Sequence, residues 1–174
     1  TLSDVIRRIT IADKRHFSYR SHRFDVDKQS TALVDGGLQG DSVIYRRVCK
    51  LVAEAESVLY VSQYCPTGKL SKLLEQRSSR LYFNNPEFTN NKLNSMAIRL
   101  NMALSGNRTL YTRDNYLHAK FIIATMKDGQ KIAITGSHNF TNASVLLGTR
   151  EIALETKNPR IIKQLEDFFV THVQ

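Results

Sequence analysis

Two short stretches of this chain hold the side chains that transfer of a phosphoryl group would need: Leu117-His118-Ala119-Lys120 and Gly136-Ser137-His138-Asn139, with Glu151 a little further on. An imidazole can attack an electrophile or carry a proton. An ammonium, a hydroxyl and a carboxamide can hold anionic oxygens and stabilise developing charge. A carboxylate can fix the tautomer and direction of an imidazole. The question is whether the fold brings them to one place.

The run Leu117–Thr125 is almost continuously apolar and predicts a strand. His118 and Lys120 sit two apart at its head, so both side chains leave the same face, about 7 Å apart, while Leu117, Ala119 and Phe121 face the other way. A histidine and a lysine on such a face are costly unless something anionic meets them. Asp128-Gly129 is a strong hairpin signal, returning a second strand over Lys131–Thr135. Gly136-Ser137-His138-Asn139 then emerges at the end that carries His118 and Lys120. Gly136 permits a tight bend and close approach of a ligand. A His-x-Lys by itself carries little weight in a basic chain with five histidines. His118 is the only one with a lysine two residues on. The plain alternative is a satisfied histidine at a strand end with a solvated lysine. The Gly-Ser-x-Asn turn directly after the paired strand argues against it. His138, between Ser137 and Asn139, reads as a neighbour rather than a reacting group.

Elements to position these residues follow from the patterning. A strand at Thr31–Val34 is broken by Asp35-Gly36-Gly37, and Asp41 caps a helix with Val43, Ile44, Val48, Leu51, Val52 and Ala55 on one face. A strand at Ser57–Tyr64, a helix at Lys69–Ser78 and a strand at Arg80–Phe83 come next, then a helix over Asn91–Leu104. Arg150–Thr156 is a further strand. Asn158 caps a last helix, with Pro159 in its first turn and Ile161, Ile162, Leu165, Phe168, Phe169 and Val173 forming a stripe. Strands alternating with helices predict an α/β sandwich on one mixed sheet, the hairpin supplying antiparallel pairing. Residues 1–30, charged and weakly periodic, read as a leading arm or linker. Residues 31–174 read as a single domain.

Composition agrees with a folded domain. The chain has 174 residues, 41% hydrophobic and 24% charged. Its formal charge of +9 raises the local concentration of anionic partners, whether phospholipid headgroups, nucleic acid or small phosphates. Cys49 and Cys65 lack metal-type spacing and read as small core residues. His16 and His22, among basic residues in the arm, read as solvated. No G-x-G-x-x-G or G-x-x-x-x-G-K-[ST] loop is present, which removes the commonest nucleotide-binding classes. No apolar run approaches the roughly 20 residues that span a bilayer.

His118-x-Lys120 followed by Gly136-Ser137-x-Asn139 resembles the signature of the phospholipase D superfamily. The resemblance covers most of the chain from about Thr31. It includes the apolar lead-in before His118, Asn139-Phe140-Thr141, and Arg150-Glu151-Ile152-Ala153-Leu154. Leu117–Lys120 and Ser62-Gln63-Tyr64-Cys65-Pro66 look most like the second half of bacterial cardiolipin synthases. The resemblance implies an α-β-α sandwich around a mixed sheet, its hairpin carrying the motif. It also implies that one histidine becomes a phosphohistidine while a second, from another copy of the motif, protonates the leaving alcohol. Lys120, Ser137 and Asn139 would hold the non-bridging oxygens and Glu151 would orient an imidazole, with no metal or cofactor.

Tyr116 and Arg113, just before the motif, are candidates to line a headgroup pocket, a core or rim role being the alternative. This chain holds one copy of the motif, so the second would come from a homodimer mate or from an N-terminal half missing here. The expected substrate is a phospholipid or other phosphodiester, with nucleic acid the runner-up. The expected setting is bacterial, cytoplasmic or peripheral at a membrane surface. One departure stands out: the superfamily usually has aspartate where this chain has Thr125, which leaves a degenerate, anion-binding copy as a further reading.

Overall fold

A computed structural model describes residues 3–4, 6–7, 20–84, 96, 106–113 and 115–174. Its centre is an eight-stranded mixed sheet. In chain order the strands are β1 (His22–Asp25), β2 (Ser30–Gly36), β3 (Ser57–Val61), β4 (Ser78–Asn84), β5 (Arg108–Arg113), β6 (Phe121–Thr125), β7 (Lys131–Gly136) and β8 (Arg150–Thr156). The spatial order is β1-β2-β8-β7-β6-β3-β4-β5. β3, β4 and β5 run parallel, and every other neighbouring pair is antiparallel.

Helices cover both faces. On one side lie α1 (Val43–Glu54) and α2 (Gly68–Glu75), whose Ile44, Val48, Val52, Leu70 and Leu74 pack with Ile122, Ala124 and Ile134 of the sheet. On the other lies α4 (Pro159–His172), whose Ile162 and Phe169 meet Leu59, Val61, Phe121 and Ile123. The short α3 (Asn142–Leu147) follows the motif turn. β6 therefore feeds both layers, alternate residues going to opposite helices, and its unbroken apolar sequence is what a strand covered on both faces requires. This is the expected α-β-α sandwich.

Several boundaries differ from the sequence reading. Part of the expected arm is sheet: His22–Asp25 pairs with Thr31–Val34 as an edge strand. β2 runs on through Asp35 and Gly36 instead of breaking there, because both pair with β8. Ser42, not Asp41, caps α1, accepting from the Tyr45 N–H at 2.9 Å. Asp35, delivered by β2, accepts from the N–H groups of Val43 and Ile44 at 2.7 and 3.2 Å, so the helix terminus is already satisfied. Asp41 binds the Ser21 N–H and the Arg46 guanidinium instead.

β3 stops at Val61 because the chain folds back, the Tyr60 hydroxyl donating to the Tyr64 carbonyl at 2.8 Å. The second helix ends at Glu75 because Ser78 is already paired with Ser57. Phe168, expected in the stripe of the last helix, is exposed. The helix expected over Asn91–Leu104 lies outside the described residues apart from Met96. Cys49 and Cys65 are both buried.

Candidate active site

All the motif residues gather at one end of the sheet, where β6 begins and β7 ends. The β6–β7 hairpin turns at Asp128-Gly129, with Gly129 at φ 81°, and sets Phe121 opposite Thr135. Past the last ladder pair, the Gly136 N–H donates to the Lys120 carbonyl at 3.3 Å. Gly136 is required by packing, since a Cβ there would stand 2.2 Å from the Ile152 carbonyl oxygen and 2.6 Å from the Ala153 Cα. Only glycine lets β7 approach β8 this closely.

The ladder starts at Phe121, so His118 and Lys120 precede β6 rather than heading it as expected. The alternation nevertheless continues upstream: Leu117 and Ala119 pack with Phe121 and Ile123 in the layer under α4. Lys120 therefore lies on the opposite face, with Ile122. Its side chain is buried, and the ammonium donates to the His118 carbonyl at 2.8 Å. Burial lowers its pKa, and the Glu151 carboxylate pulls the other way. His118 is exposed, its ring stacked on Tyr116 with centroids 6.0 Å apart.

Ser137 donates its hydroxyl to the Glu151 carboxylate and accepts from the Ile152 N–H at 3.0 Å. Glu151 lies on β8, directly across from Asp35. The Asn139 side-chain oxygen is buried with no hydrogen-bond partner, while its main-chain carbonyl accepts from Ser62 at 3.1 Å. Lys120, Ser137, Glu151 and the main chain of His118 thus form one connected group, and Asn139 adjoins it through the turn. Tyr116 joins through its ring, its hydroxyl accepting from the Gln63 amide at 2.7 Å. Arg113 stands apart: its guanidinium donates to the Gln174 carbonyl at 3.3 Å.

Sequence reasoning missed one residue. Asn84, buried at the end of β4, accepts from the Leu117 N–H at 2.5 Å and donates to the Leu117 and Gln63 carbonyls at 2.9 and 3.2 Å. The only signal was an asparagine closing an otherwise apolar strand. His138, read from the sequence as a neighbour of the reacting groups, is 1% exposed beneath the motif turn. Among the described residues no group of three or more His, Cys, Asp or Glu could hold a metal ion. No helix of the described residues is long and apolar enough to cross a membrane.

A mixed sheet sandwiched between helices, with His-x-Lys and Gly-Ser-x-Asn meeting at one end of a hairpin, defines the phospholipase D class of phosphodiesterase folds. The family described as "Cardiolipin synthase, PLD-like domain" matches residues 73–173, and the chain belongs to it. No curated protein matches the chain in sequence. Among solved structures, the phospholipase D family member Nuc from Salmonella typhimurium aligns with a TM-score of 0.60 at 20% identity, over 81% of this chain and 92% of Nuc. NucT from Helicobacter pylori aligns at 0.56 and 15% identity, over 72% of this chain and 84% of that one. Phosphatidylserine synthase from Haemophilus influenzae aligns at 0.57 and 10% identity, over 94% of this chain but 40% of that one. At such identities the likeness is one of fold.

Proposed function

We propose that the chain supplies one catalytic half of a phospholipase D-type enzyme, cleaving or transferring the phosphodiester of a phospholipid through a phosphohistidine on His118. The observation that carries this reading is the Lys120 ammonium. It is buried, uses one N–H on the His118 carbonyl, and has two more donors for anionic oxygens. Held partly out of water, such donors act more strongly than at an open surface.

In the first step an imidazole nitrogen of His118 forms a bond to phosphorus as the bond to the leaving alcohol breaks. A second imidazole, from another copy of the motif, delivers a proton to that alcohol. It then takes the proton of water or an acceptor alcohol, whose oxygen displaces His118 from phosphorus. Lys120, the Ser137 hydroxyl and the Asn139 amide hold the non-bridging oxygens. Glu151 accepts from the far nitrogen of an imidazole, and the Ser137 hydroxyl, its present donor, turns its one proton to the phosphate instead. Tyr116, stacked on His118, borders the headgroup. The second copy comes from a homodimer mate or from an N-terminal half, so activity of this chain alone depends on dimerisation. The protein works in solution or peripherally at an anionic membrane surface, its +9 charge favouring contact.

A nucleic-acid phosphodiester is the second reading, favoured by the same charge and by the match to nearly the full length of Nuc. Wild type and His118→Ala, assayed on phosphatidylglycerol vesicles and on plasmid DNA, distinguish the two. Lipid turnover that His118→Ala loses, by about four orders of magnitude or more, supports the first reading. Plasmid nicking without lipid turnover supports the second. Inactivity on both points to a degenerate copy.

A further inference from the structure

The turn after β7 is held from below by a histidine that the proposed chemistry does not use. His138 lies under the turn, 1% exposed, and its Nδ1 accepts from the Phe140 N–H at 2.7 Å. Phe140 itself sits at φ 55°, a left-handed conformation unusual for a bulky residue and kept only when its surroundings enforce it. Those surroundings are identifiable. The Phe140 ring is fully buried, packing edge-on against Tyr60 at 6.1 Å and stacking on His138 at 5.9 Å. Between Ser137 and Phe140, the Asn139 carbonyl takes the Ser62 hydroxyl at 3.1 Å.

A main-chain N–H can only donate, so Nδ1 must be unprotonated and the ring's one proton must sit on Nε2. Nε2 is buried without a hydrogen-bond partner, and its nearest acid, the Asp35 carboxylate, is 3.8 Å away, beyond hydrogen-bonding range. Asp35 on β2 is already occupied by the Ser42 hydroxyl and two N–H groups at the start of α1. Also facing the ring are Tyr45 of α1, with centroids 6.4 Å apart, and the charge of Glu151 on β8. A second proton would have to enter at Nδ1, where it would meet the Phe140 N–H head-on and break the bond that shapes the turn.

We infer that His138 is a positioning residue whose neutral Nδ1 fixes the turn presenting Ser137 and Asn139, and that its protonation releases this turn and disables the site in acid. The inference rests on the proposed function for its effect on turnover, but its geometric part stands without it. Burial lowers the imidazole pKa, with Asp35 and Glu151 pulling upward, so the neutral form persists below the ordinary histidine range.

Two variants separate acceptor from bulk. His138→Asn keeps an acceptor oxygen on the same side-chain carbon and does not titrate, whereas His138→Leu keeps apolar volume and has no acceptor. Turnover at neutral pH is expected to fall by about a hundredfold in His138→Leu and to stay within roughly threefold in His138→Asn. Hydrogen exchange at the Phe140 amide is expected to be slow in wild type and His138→Asn and fast in His138→Leu. Nitrogen shifts of the wild-type ring are expected to report the Nε2–H tautomer at neutral pH. The acid limb of turnover should fall less steeply in His138→Asn, since one inactivating proton is gone. A proton on Nδ1 at neutral pH overturns the inference, as does equal Phe140 protection in His138→Leu and wild type. Should wild type turn over no phosphodiester, the proposed function falls alone, and ring shifts with Phe140 exchange still decide the geometry.

Discussion

Asn84 holds Leu117 at both of its main-chain polar groups, accepting its N–H at 2.5 Å and donating to its carbonyl at 2.9 Å. Leu117 directly precedes His118, so the site histidine hangs from a segment fixed by a side chain on a different strand. Replacing Asn84 by alanine leaves three main-chain groups short of a partner, two of them buried. Each costs on the order of 1 kcal/mol or more. The expected outcome is a loss of stability of about 2–3 kcal/mol in urea unfolding. Turnover should fall by a further factor of roughly ten at temperatures where the variant stays folded. Full activity in a folded Asn84→Ala would show that the segment holds itself.

Gly136→Ala tests the close approach of β7 and β8. The added methyl group would stand 2.2 Å from the Ile152 carbonyl oxygen, 2.6 Å from the Ala153 Cα and 2.8 Å from its Cβ, none of them the end of a flexible side chain. Overpacking of this kind costs about 1–3 kcal/mol. The strands must separate just where Ser137 bonds Ile152 and Glu151, so the melting temperature and turnover should drop together. An unchanged melting temperature would mean that the end of the β7–β8 ladder accommodates the methyl.

Lys120 should give the site an alkaline limit. Burial disfavours its charged form, so the folded state binds fewer protons here than the unfolded chain does. Stability from this group therefore rises with pH between its lowered folded value and the ordinary lysine value of about 10.4, while its charge disappears from the site over the same window. The alkaline limb of turnover should accordingly begin below the usual lysine range. Glu151 opposes the effect of burial, so Glu151→Gln should move the limb to still lower pH. A limb that stays in place in Glu151→Gln would assign it to another group.

Thr125 stands where the superfamily usually has aspartate, pairing with Lys131 across the hairpin and with Ser57 across β3. It lies at the opposite end of β6 from the motif, lining a groove of about 430 Å³ with Arg80, Lys131 and Glu166. Thr125→Asp puts a carboxylate opposite Lys131, whose ammonium already bonds Glu166 at 2.6 Å. A cross-strand charge pair contributes about 0.2–1 kcal/mol, so the melting temperature should rise by no more than a few degrees. Turnover should change less than about twofold, since the site is a strand length away. A gain of tenfold or more would identify Thr125 as the cause of a weakened site.

The periodicity of the chain alone determined the sandwich. Runs of apolar residues at periods of 2 and 3.6 can bury their faces in few ways, and Asp128-Gly129 could join its flanking strands only as a hairpin. The spacing of His118, Lys120, Gly136, Ser137 and Asn139 was legible for the same reason, since a hairpin brings its two outer ends together. Tertiary structure decided what touches what. Asn84 meets Leu117 across 33 positions of sequence, Asp35 meets the start of α1, and His138 turns inward while Ser137 faces out. A hydrogen bond depends on distance and direction in space, and neither leaves a period in the sequence. For that reason the candidate residues and their meeting place could be read from the chain, whereas the residues that hold them still could not.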